Sequence, residues 1–376
     1  MKRKVMYITQ SNGGVARYLQ MLFKYMDRDE YEQILIYPTE YKDEQGKFVD
    51  FVDSIEFVDM CREINPIKDF RSIIKINKLI KKYNPDLIYV QSSKGGAIGR
   101  IANLIENKPI IYNAHGWAFN MKVSKLKRWI YVLIERVLAS VTDYIIAISD
   151  EEKNSAISNK ICSEEKIKVI LNGIDIDEYD NGGIDELKVK NKYNIPLNSK
   201  VFGMVGRISK QKAPDIFIKV ASEINKKLPN SFFIIVGDGE DKESIELLID
   251  ELGIKEKTLI TGWVDNIYEY ISIFDIAMLL SRWEGFGLAI AEYMIANKPI
   301  IATNIDSIPI LVENEVNGLL VDVEDIDAVV RAAFRIINDS KLANKFIKNS
   351  NNKARMNFNV KRVAFEHETL FKLILK

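Results

Sequence analysis

Two kinds of apolar segment alternate along this chain. Short continuous runs, such as KVMYIT, DLIYVQ, PIIYNA, DYIIAIS and KVILNGI, are typical of buried strands. Between them lie segments with the apolar period of a helix, such as VARYLQMLFKYM and LKRWIYVLIERVL. The later runs KVFGMVG, SFFIIVGDG, TLITGWV, DIAMLLS and PIIATN repeat the alternation. Strands that are apolar throughout and alternate with helices indicate parallel α/β sheets covered on both faces.

Two such series predict two Rossmann-like domains, since 376 residues exceed what one ordinary hydrophobic core holds. Gly, Asn and Asp cluster in LNGIDIDEYDNGG, residues 171–183, and this composition is typical of a linker. We therefore place an N-terminal domain at residues 1–172 and a C-terminal domain at residues 173–359. Ligands of such sheets bind at the carboxyl ends of the strands, which directs attention to the loops there.

Glycine and histidine follow two of the predicted strands in the N-terminal half. In SNGGVARYL, Gly13 and Gly14 stand between a strand and a helix, where the backbone can approach a ligand closely. A tight strand-to-helix turn is the structural alternative. His115 and Gly116 follow the strand PIIYNA, a position that suits ligand contact, although a lone histidine is more often structural.

Two cations follow the first strand of the C-terminal half. In GRISKQKAPD, Arg207 and Lys212 precede Pro214, which suits the first turn of a helix. Such a pair can hold a diphosphate and stabilise it as a leaving group. A solvated basic loop is the alternative of equal weight.

The segment EGFGLAIAE, residues 284–292, combines acidic residues with a helix start. A helix that begins near Gly287 directs the backbone amides of Phe286, Gly287 and Leu288 at an anion. Glu292, more than one turn further on, could accept from ribose hydroxyls, and Glu284 could accept from a sugar hydroxyl. A nucleoside diphosphate sugar supplies both kinds of group. For Glu292, the polar face of the helix is the alternative.

Several other classes of protein are excluded by the sequence. There is no G-x-G-x-x-G after a strand and no G-x-x-x-x-G-K-[ST], so dinucleotide and P-loop fingerprints are absent. With two histidines in all and no zinc-type spacing, a histidine-built metal site is not expected. Cys61 and Cys162 lie far apart, which favours free thiols in a reducing compartment.

Taken together and in this order, the motifs resemble the family 4 retaining glycosyltransferases of the GT-B fold. The Gly-Gly loop, the His-Gly after a strand, G-R-x4-K, G-D-G and E-x7-E span nearly the whole chain. The resemblance implies two Rossmann-like domains whose parallel sheets face an interdomain cleft, with a last helix at 360–376 that packs back on the first domain. It implies transfer of a sugar, with retention, from a nucleoside diphosphate donor to an acceptor hydroxyl, without metal or other cofactor. Uridine is the base we expect.

The resemblance also assigns roles to individual residues. Arg207 and Lys212 match the pair that holds the donor diphosphate, and His115 matches a residue near the donor sugar and the reaction centre. Glu284 matches the residue that contacts the transferred sugar, and Glu292 the one that binds ribose. The remaining donor-binding candidates are the loop and helix-start residues Gly13, Gly14, Phe286, Gly287 and Leu288.

Two segments depart from the family pattern. Ala213-Pro214 stand where the family often has glycine, which changes the turn. Residues 305–310, IDSIPI, replace a Gly-Gly-x-Pro-Glu run that forms a candidate wall of the active site. The second departure leaves the donor sugar and the fine geometry of the pocket open.

Basic residues are concentrated in one part of an otherwise neutral chain. Lys+Arg and Asp+Glu each number 53, yet residues 66–136 hold 14 basic and 4 acidic residues. Residues 66–83 and 122–138 have a helical period with basic residues, and the second includes Trp129. These features predict contact with an anionic membrane surface, as in several relatives of the family, and a solvated helix face is the alternative. No RNA or DNA motif accompanies the charge, so nucleic acid is not an expected partner.

Within residues 122–138, an apolar stripe is expected to face the protein core: Leu126, Ile130, Leu133 and Val137. No apolar run approaches the roughly 18 residues needed to span a bilayer, and the basic N-terminus reads as a strand and not as a signal peptide. We therefore expect a cytoplasmic protein, peripheral on the inner face of the plasma membrane.

The acceptor expected at that surface is a lipid-linked saccharide in surface polysaccharide or glycolipid synthesis. Two other functions remain open from the sequence. One is a sugar-nucleotide epimerase of the GT-B fold, which needs no acceptor surface. The other is a GT-B scaffold that has lost turnover, against which the complete set of charged motif residues argues.

Overall fold

The chain divides into two units, each built on one sheet: Met1–Gly173 with Val360–Lys376, and Ile174–Asn359. This computed structural model describes residues 2–10, 13–61, 64–121, 123–180, 183–264 and 266–376. The last helix of the chain thus belongs to the first unit, while the residues just before it belong to the second.

The first unit has a sheet of seven strands among the residues described. They are β1 (Arg3–Thr9), β2 (Tyr31–Pro38), β3 (Ser54–Val58), β4 (Leu87–Gln91), β5 (Ile110–Asn113), β6 (Tyr144–Ala147) and β7 (Ile167–Val169). All neighbours are parallel, in the order β3-β2-β1-β4-β5-β6-β7. The helices of this unit are α1 (Gly14–Tyr25), α2 (Pro66–Tyr83), α3 (Ser93–Ala102), α4 (Lys125–Ala139), α5 (Asp150–Ser158) and α15 (Val360–Ile374).

The second unit repeats the plan with six parallel strands in its described part. They are β8 (Lys200–Val205), β9 (Ser231–Val236), β10 (Thr258–Ile260), β11 (Ile276–Leu279), β12 (Ile300–Thr303) and β13 (Leu319–Val321), in the order β10-β9-β8-β11-β12-β13. Its helices are α6 (Ile176–Asp180), α7 (Glu186–Lys192), α8 (Pro214–Lys227), α9 (Lys242–Glu251), α10 (Ile267–Ser272), α11 (Leu288–Ile295), α12 (Ile308–Leu311), α13 (Ile326–Asn338) and α14 (Ser340–Asn357).

Both sheets reverse their winding direction beside their first strand. In the first unit β1 lies between β2 and β4, and in the second β8 lies between β9 and β11. Crossovers on either side of such a point leave on opposite faces of the sheet, so the loops after β1 and β4, and after β8 and β11, border a crevice. The prediction of two parallel, Rossmann-like sheets is confirmed.

Three strands have no counterpart in the sequence analysis, at residues 31–38, 54–58 and 319–321. The first is buried along most of its length, including Gln33, whose side-chain amide donates to the carbonyl of Phe51 at 3.1 Å. That polar residue and the neighbouring Glu32 interrupt the apolar run at the start of the strand. The other two strands, β3 and β13, are short, and each is the edge strand of its sheet.

The expected inward stripe of α4 is wrong. Leu126, Ile130, Leu133 and Val137 are 68%, 40%, 44% and 61% exposed, respectively. The face that packs on the unit consists of Val132, Glu135, Leu138 and Ala139. The error has a physical cause: α4 is apolar on two sides, and its inner side includes an acid that period counting assigns to solvent.

Glu135 can lie inside because its charge is paired. Its carboxylate accepts from the Arg100 guanidinium at 2.8 Å and from the Tyr112 hydroxyl at 2.9 Å. The guanidinium also lies over the Tyr112 ring, 3.8 Å from its centroid. These contacts join α3, α4 and β5 in the interior of the first unit.

The last helix, α15, packs against α1 through a buried polar group centred on His367. Its Nδ1 lies 2.7 Å from the carbonyl oxygen of Val363, so Nδ1 carries the hydrogen and Nε2 accepts. The hydroxyls of Tyr18 and Tyr89 lie 2.8 and 3.0 Å from Nε2. Burial lowers the pKa of His367 to about 4, so the ring is neutral near pH 7.

A pH-dependent share of stability follows from His367. As the pH falls below about 6.5, the imidazole of His367 takes up a proton in the unfolded chain, whereas in the folded protein it stays neutral until about pH 4. His367 therefore contributes a loss of up to about 1.4 kcal/mol of unfolding free energy per pH unit in this window, and His367→Gln lacks this contribution. Denaturant unfolding of both proteins near pH 7 and near pH 5 measures the difference. A stability gap that is equal at the two pH values would contradict this assignment.

Candidate active site

In the first unit, His115 lies in a strained turn after β5. His115 has φ 52° and Gly116 has φ 106°, so two successive residues occupy the region that side chains disfavour. The backbone amide of His115 donates to the Asn113 side chain at 3.0 Å. The edge of the Tyr18 ring meets the imidazole at 4.8 Å between centroids. The predicted position of His115 at a strand's carboxyl end is therefore where the structure places it.

His115 is a neutral hydrogen-bonding group at ordinary pH. The residue is half-buried, and loss of hydration lowers the pKa of its ring to about 3. Its Nε2 lies 2.6 Å from Oε1 of Gln91, at the end of β4. With the Gln91 amide in this orientation, Nε2 carries the hydrogen and Nδ1 is the acceptor nitrogen.

Gly13 and Gly14 form the start of α1 directly after the end of β1. Gly13 has φ 67° and ψ −126°, which a residue with a side chain rarely adopts. A Cβ at either position would meet nothing within 4 Å, so the backbone here borders open space. Ser11 and Asn12, which precede the two glycines in SNGGVARYL, lie outside the described residues.

In the second unit, the loops after β8 and β11 bring Lys212 and Glu284 together. The Lys212 ammonium and Oε1 of Glu284 form an ion pair, and Ser281 donates its hydroxyl hydrogen to the same oxygen at 2.7 Å. The side chains are 19% and 5% exposed, respectively. Arg207 does not join them: its side chain pairs with Glu240 at 2.7 Å and is about half exposed.

Residues 305–310 after β12, the segment that departs from the family pattern, hold the Glu284 loop through side-chain hydrogen bonds. Asp306 accepts from the backbone amide of Glu284 at 2.8 Å, and the Ser307 hydroxyl donates to the carbonyl of Gly285 at 2.5 Å. Thr303, at the end of β12, donates its hydroxyl hydrogen to the carbonyl of Ser281 at 2.7 Å. Sequence reasoning marked this segment as unusual but missed these contacts, which no spacing signals.

The helix start predicted near Gly287 is where α11 begins. Gly287 precedes Leu288 in a left-handed conformation, with φ 88°. Phe286 is buried and packs edge-to-face on Phe358, 5.6 Å between centroids. Glu292 is 5% exposed, so the alternative of a solvated polar face does not apply. The segment thus places the start of α11 just after Glu284, whose side chain is 5% exposed, and little more than one turn before the buried Glu292.

The G-D-G segment packs against the loop of Arg207. A Cβ on Gly237 or Gly239 would lie 2.1 or 2.2 Å from the carbonyl oxygens of Gly206 and Ile208, respectively. Only glycine permits so close an approach of two backbones. Within the described ranges, no group of three or more His, Cys, Asp and Glu residues could hold a metal ion.

Comparisons with known proteins identify the family of the chain. Residues 12–178 match the family model described as Glycosyltransferase Family 4, and residues 185–353 match Glycosyl transferases group 1. A UDP-Gal:alpha-D-GlcNAc-diphosphoundecaprenol alpha-1,3-galactosyltransferase of Escherichia coli is 35% identical over 360 residues, which cover 93% of this chain and 91% of that relative. The chain is a family 4 glycosyltransferase.

This glycosyltransferase has further relatives in polysaccharide synthesis. The capsular polysaccharide biosynthesis glycosyltransferase CapM of Staphylococcus aureus is 27% identical over 327 residues, 85% of each chain. The fold is similar to that of Anabaena Alr3699/HepE, whose crystal structure is a complex with UDP-glucose. That comparison has a TM-score of 0.83 and 23% identity, and covers 98% of this chain and 99% of that one. The resemblance drawn from the motifs is confirmed.

A substitution at Gly287 tests whether the start of α11 belongs to the nucleotide site of this glycosyltransferase. The Cβ of Gly287→Ala would lie 2.8 Å from Cδ1 of Ile308, and the left-handed conformation costs about 1–2 kcal/mol more for alanine. We expect a lower melting temperature and weaker UDP binding, since the shifted loop misplaces the first amides of α11. Calorimetric titration of UDP measures the second effect.

Gly253→Ala is the matched control. Gly253 has φ 67°, but a Cβ there would meet nothing within 4 Å, and the residue follows α9. It should lower stability by the backbone cost alone and leave UDP binding intact. If Gly287→Ala binds UDP as tightly as the control does, the start of α11 is not part of the nucleotide site.

Proposed function

We propose that this glycosyltransferase moves a sugar from a UDP-sugar to a hydroxyl of a lipid-linked saccharide, with retention and without a metal. The observation that carries the donor assignment is the largely buried Lys212–Glu284 pair beside the start of α11, with the buried Glu292 in the same helix. A cation, a helix start and two carboxylates suit the diphosphate, the ribose and the sugar of one donor.

Each group has a proposed role in the reaction. Lys212 and Arg207 neutralise the diphosphate, together with the backbone amides of Phe286, Gly287 and Leu288. Binding of a diphosphate to Lys212 would release Glu284 from its ion pair to accept from a hydroxyl of the transferred sugar. Glu292 accepts from the ribose, and His115 binds near the sugar's reacting carbon. Gly13 and Gly14 leave room for the phosphates and the acceptor.

The bond changes follow from these roles. The bond between the anomeric carbon and the diphosphate oxygen breaks, and its electron pair stays with the diphosphate. The acceptor oxygen bonds to the anomeric carbon on the same face, and its proton passes to the departing phosphate oxygen. Two side-chain cations and the start of α11 stabilise the developing negative charge, a task for which other enzymes use a metal ion.

The identity of the donor and acceptor is supported by the Escherichia coli relative. Its name specifies UDP-galactose as donor and a GlcNAc unit on diphosphoundecaprenol as acceptor. We propose UDP-galactose as the first donor to test, ahead of UDP-glucose, and a saccharide on a polyprenyl diphosphate as the acceptor class. Residues 305–310 replace the family's Gly-Gly-x-Pro-Glu run, and Asp306 and Ser307 hold the Glu284 loop. Because this loop would contact the transferred sugar, the donor sugar can differ from that of the relative.

The nucleotide site is tested by titrating UDP into the protein in the presence of EDTA. We expect binding by the wild type, and binding weakened at least about tenfold in Glu292→Gln, which loses a charged acceptor for ribose hydroxyls. Glu256→Gln, an exposed acid after α9, is the matched control and should bind as the wild type does. Equal affinity of the two variants would remove Glu292 from the site.

Turnover separates the proposed enzyme from its alternatives. Labelled UDP-galactose and a GlcNAc-diphosphoundecaprenol acceptor should give a labelled lipid product, whose anomeric configuration NMR can read. Interconversion of the sugar nucleotide without an acceptor would support an epimerase. UDP binding without turnover on any UDP-sugar would support a scaffold, and a product of inverted configuration would overturn retention.

The first unit also presents a surface that fits a membrane, which we propose holds the enzyme at its acceptor. Helix α3 lies beside both α2 and α4, and all three expose large apolar side chains. Those exposed side chains are Ile67, Phe70 and Ile74 on α2, Ile101 in the last turn of α3, Leu104 and Ile105 just after α3, and Leu126, Trp129, Ile130, Leu133, Ile134 and Val137 on α4.

Exposed cations on the same helices supply the charge complement to anionic lipid. Lys68, Arg71 and Lys78 lie on α2, and Lys125, Lys127 and Arg128 form the first turns of α4. Apolar side chains interspersed with cations are what an interfacial helix needs to lie at the headgroup boundary. In the described part of the chain, no helix has the length and hydropathy required to cross a bilayer.

The two kinds of side chain predict separable effects on binding to vesicles that contain phosphatidylglycerol. Substituting Lys125, Lys127 and Arg128 by glutamine should weaken binding at low salt, and much less at high salt, where the electrostatic part is already screened. Trp129→Gln with Leu133→Gln should weaken binding at both salt concentrations, because apolar burial is insensitive to screening. Co-sedimentation with the vesicles measures both.

Leu247→Gln is the control, because Leu247 is an equally large apolar residue, 70% exposed on α9 of the second unit. It should leave vesicle binding unchanged. If both α4 variants sediment with the vesicles as the control does, α4 is not the membrane contact.

A further inference from the structure

The turn that holds His115 is fixed by two side chains that act on successive backbone amides. Asn113 accepts from the amide of His115, and Glu152 accepts from the amide of Gly116 at 2.7 Å. His115 has a positive φ, a conformation that costs a residue with a side chain about 1–3 kcal/mol and persists where surrounding contacts enforce it. Asn113 belongs to the same strand end, but Glu152 reaches the turn from the first turn of α5.

Glu152 joins this turn to the end of the neighbouring strand β6. Its second carboxylate oxygen accepts from the backbone amide of Ile148 at 2.6 Å. Its own carbonyl oxygen accepts from the indole nitrogen of Trp117 at 3.0 Å. Glu152 is 6% exposed, and Trp117 is 2% exposed. Glu152 therefore ties Gly116 and Trp117, the residues that follow His115, to the end of β6.

A role confined to capping α5 does not account for these contacts. In the usual capping box, the acid three residues into a helix accepts from the amide of the N-cap residue, which here would be Ser149. Ser149 does cap α5, accepting from the Glu152 amide at 3.0 Å. The Glu152 carboxylate, however, binds amides outside the helix, at Ile148 and Gly116.

The cost of burying this carboxylate also indicates a role beyond capping α5. Burial raises the pKa of Glu152 to about 7, while the two amide hydrogen bonds lower it. An aliphatic residue would fill the space without this desolvation, but would leave two buried amides without an acceptor. The carboxylate is thus matched to the amides that it holds.

We propose that Glu152 is a positioning residue, which holds the His115–Gly116 turn in the shape that directs His115 at the donor sugar. This inference rests on the role proposed for His115. Glu152 itself binds no substrate. It acts through the backbone amide of Gly116 in the turn, while the amide of Ile148 ties its carboxylate to the end of β6.

Glu152→Gln is the informative variant. It keeps the size of the side chain but provides one acceptor oxygen, so its NH2 group faces one of the two backbone N–H groups. We expect kcat to fall about 10- to 100-fold, the scale of a small misplacement, while the KM for UDP-galactose and the affinity for UDP change less than about twofold.

Two controls separate positioning from stability. Ser149→Ala removes the cap of the same helix and should lower the melting temperature without a comparable loss of kcat. Glu151→Gln, an exposed acid one residue away, should match the wild type. Glu152→Asp, whose shorter carboxylate reaches only one of the two amides, gives a second variant should the glutamine protein fail to fold.

Histidine NMR provides a readout that needs no turnover. The chain has two histidines, so selective ring labelling gives two imidazole signals, assigned with His115→Asn. Glu152→Gln should shift the His115 signal and leave that of the buried His367 in place. This readout still decides the positioning role if the wild type transfers no sugar, in which case the proposed function fails separately.

Three outcomes would overturn the proposal. One is a folded Glu152→Gln or Glu152→Asp protein with wild-type kcat. Another is a His115 signal that does not move in either variant. The last is a loss of kcat in Ser149→Ala as large as that in Glu152→Gln, which would reduce Glu152 to a stabiliser of α5.

Discussion

Parallel pairing of strands is the constraint on which the rest of this structure depends. Because neighbours in a parallel sheet run the same way, the loops that follow them emerge at one edge, and the loops on either side of a winding reversal diverge around a crevice. Gly13 and His115 follow strands of the first sheet, in which Gln91 ends β4, and Lys212 and Glu284 follow strands of the second. Residues far apart in sequence thus meet without any of the strands leaving the core.

Buried charge has different consequences in the two units. In the first, the Glu135 carboxylate has an arginine and a tyrosine as fixed partners, and Glu152 has two backbone amides. These are complete arrangements that hold helices and turns in place. In the second, Glu284 is paired with a lysine on a loop beside a helix start, and a diphosphate would compete for that lysine. A pair that a ligand can rearrange suits a binding site better than a scaffold, because a diphosphate that took the lysine would leave the Glu284 carboxylate to accept from a hydroxyl of the same ligand.

The sequence predicts the sheets and the motif positions because both depend on local patterns. Apolar runs specify buried strands, and glycines after them mark places where a backbone turns or comes close to a ligand. Prediction from the sequence fails where the position of a side chain depends on a partner far away in the chain. The stripe of α4 is predicted on the wrong face because the helical period places Glu135 in solvent. Glu135 lies inside because it pairs with Arg100, a partner that the sequence does not reveal. Asp306 and Glu152 were not recognised as loop-holding residues because their partners are backbone amides 22 and 36 residues away.

The two sides of α4 connect the proposed membrane surface to the turn of His115. Trp129 and Leu133 face outward, while Glu135, on the inner side of the helix, accepts from the hydroxyl of Tyr112 in β5. Tyr112 stands three residues before His115, and Gly96 of α3 leaves space for its ring, since a Cβ there would lie 2.3 Å from it. A change that moves α4 therefore acts on the strand that carries His115, whereas a change confined to the outer face of α4 should spare it. The charge of Glu135 is thus required for a structural reason, to pair with Arg100 and Tyr112, although the outer face of the same helix is the one we assign to lipid.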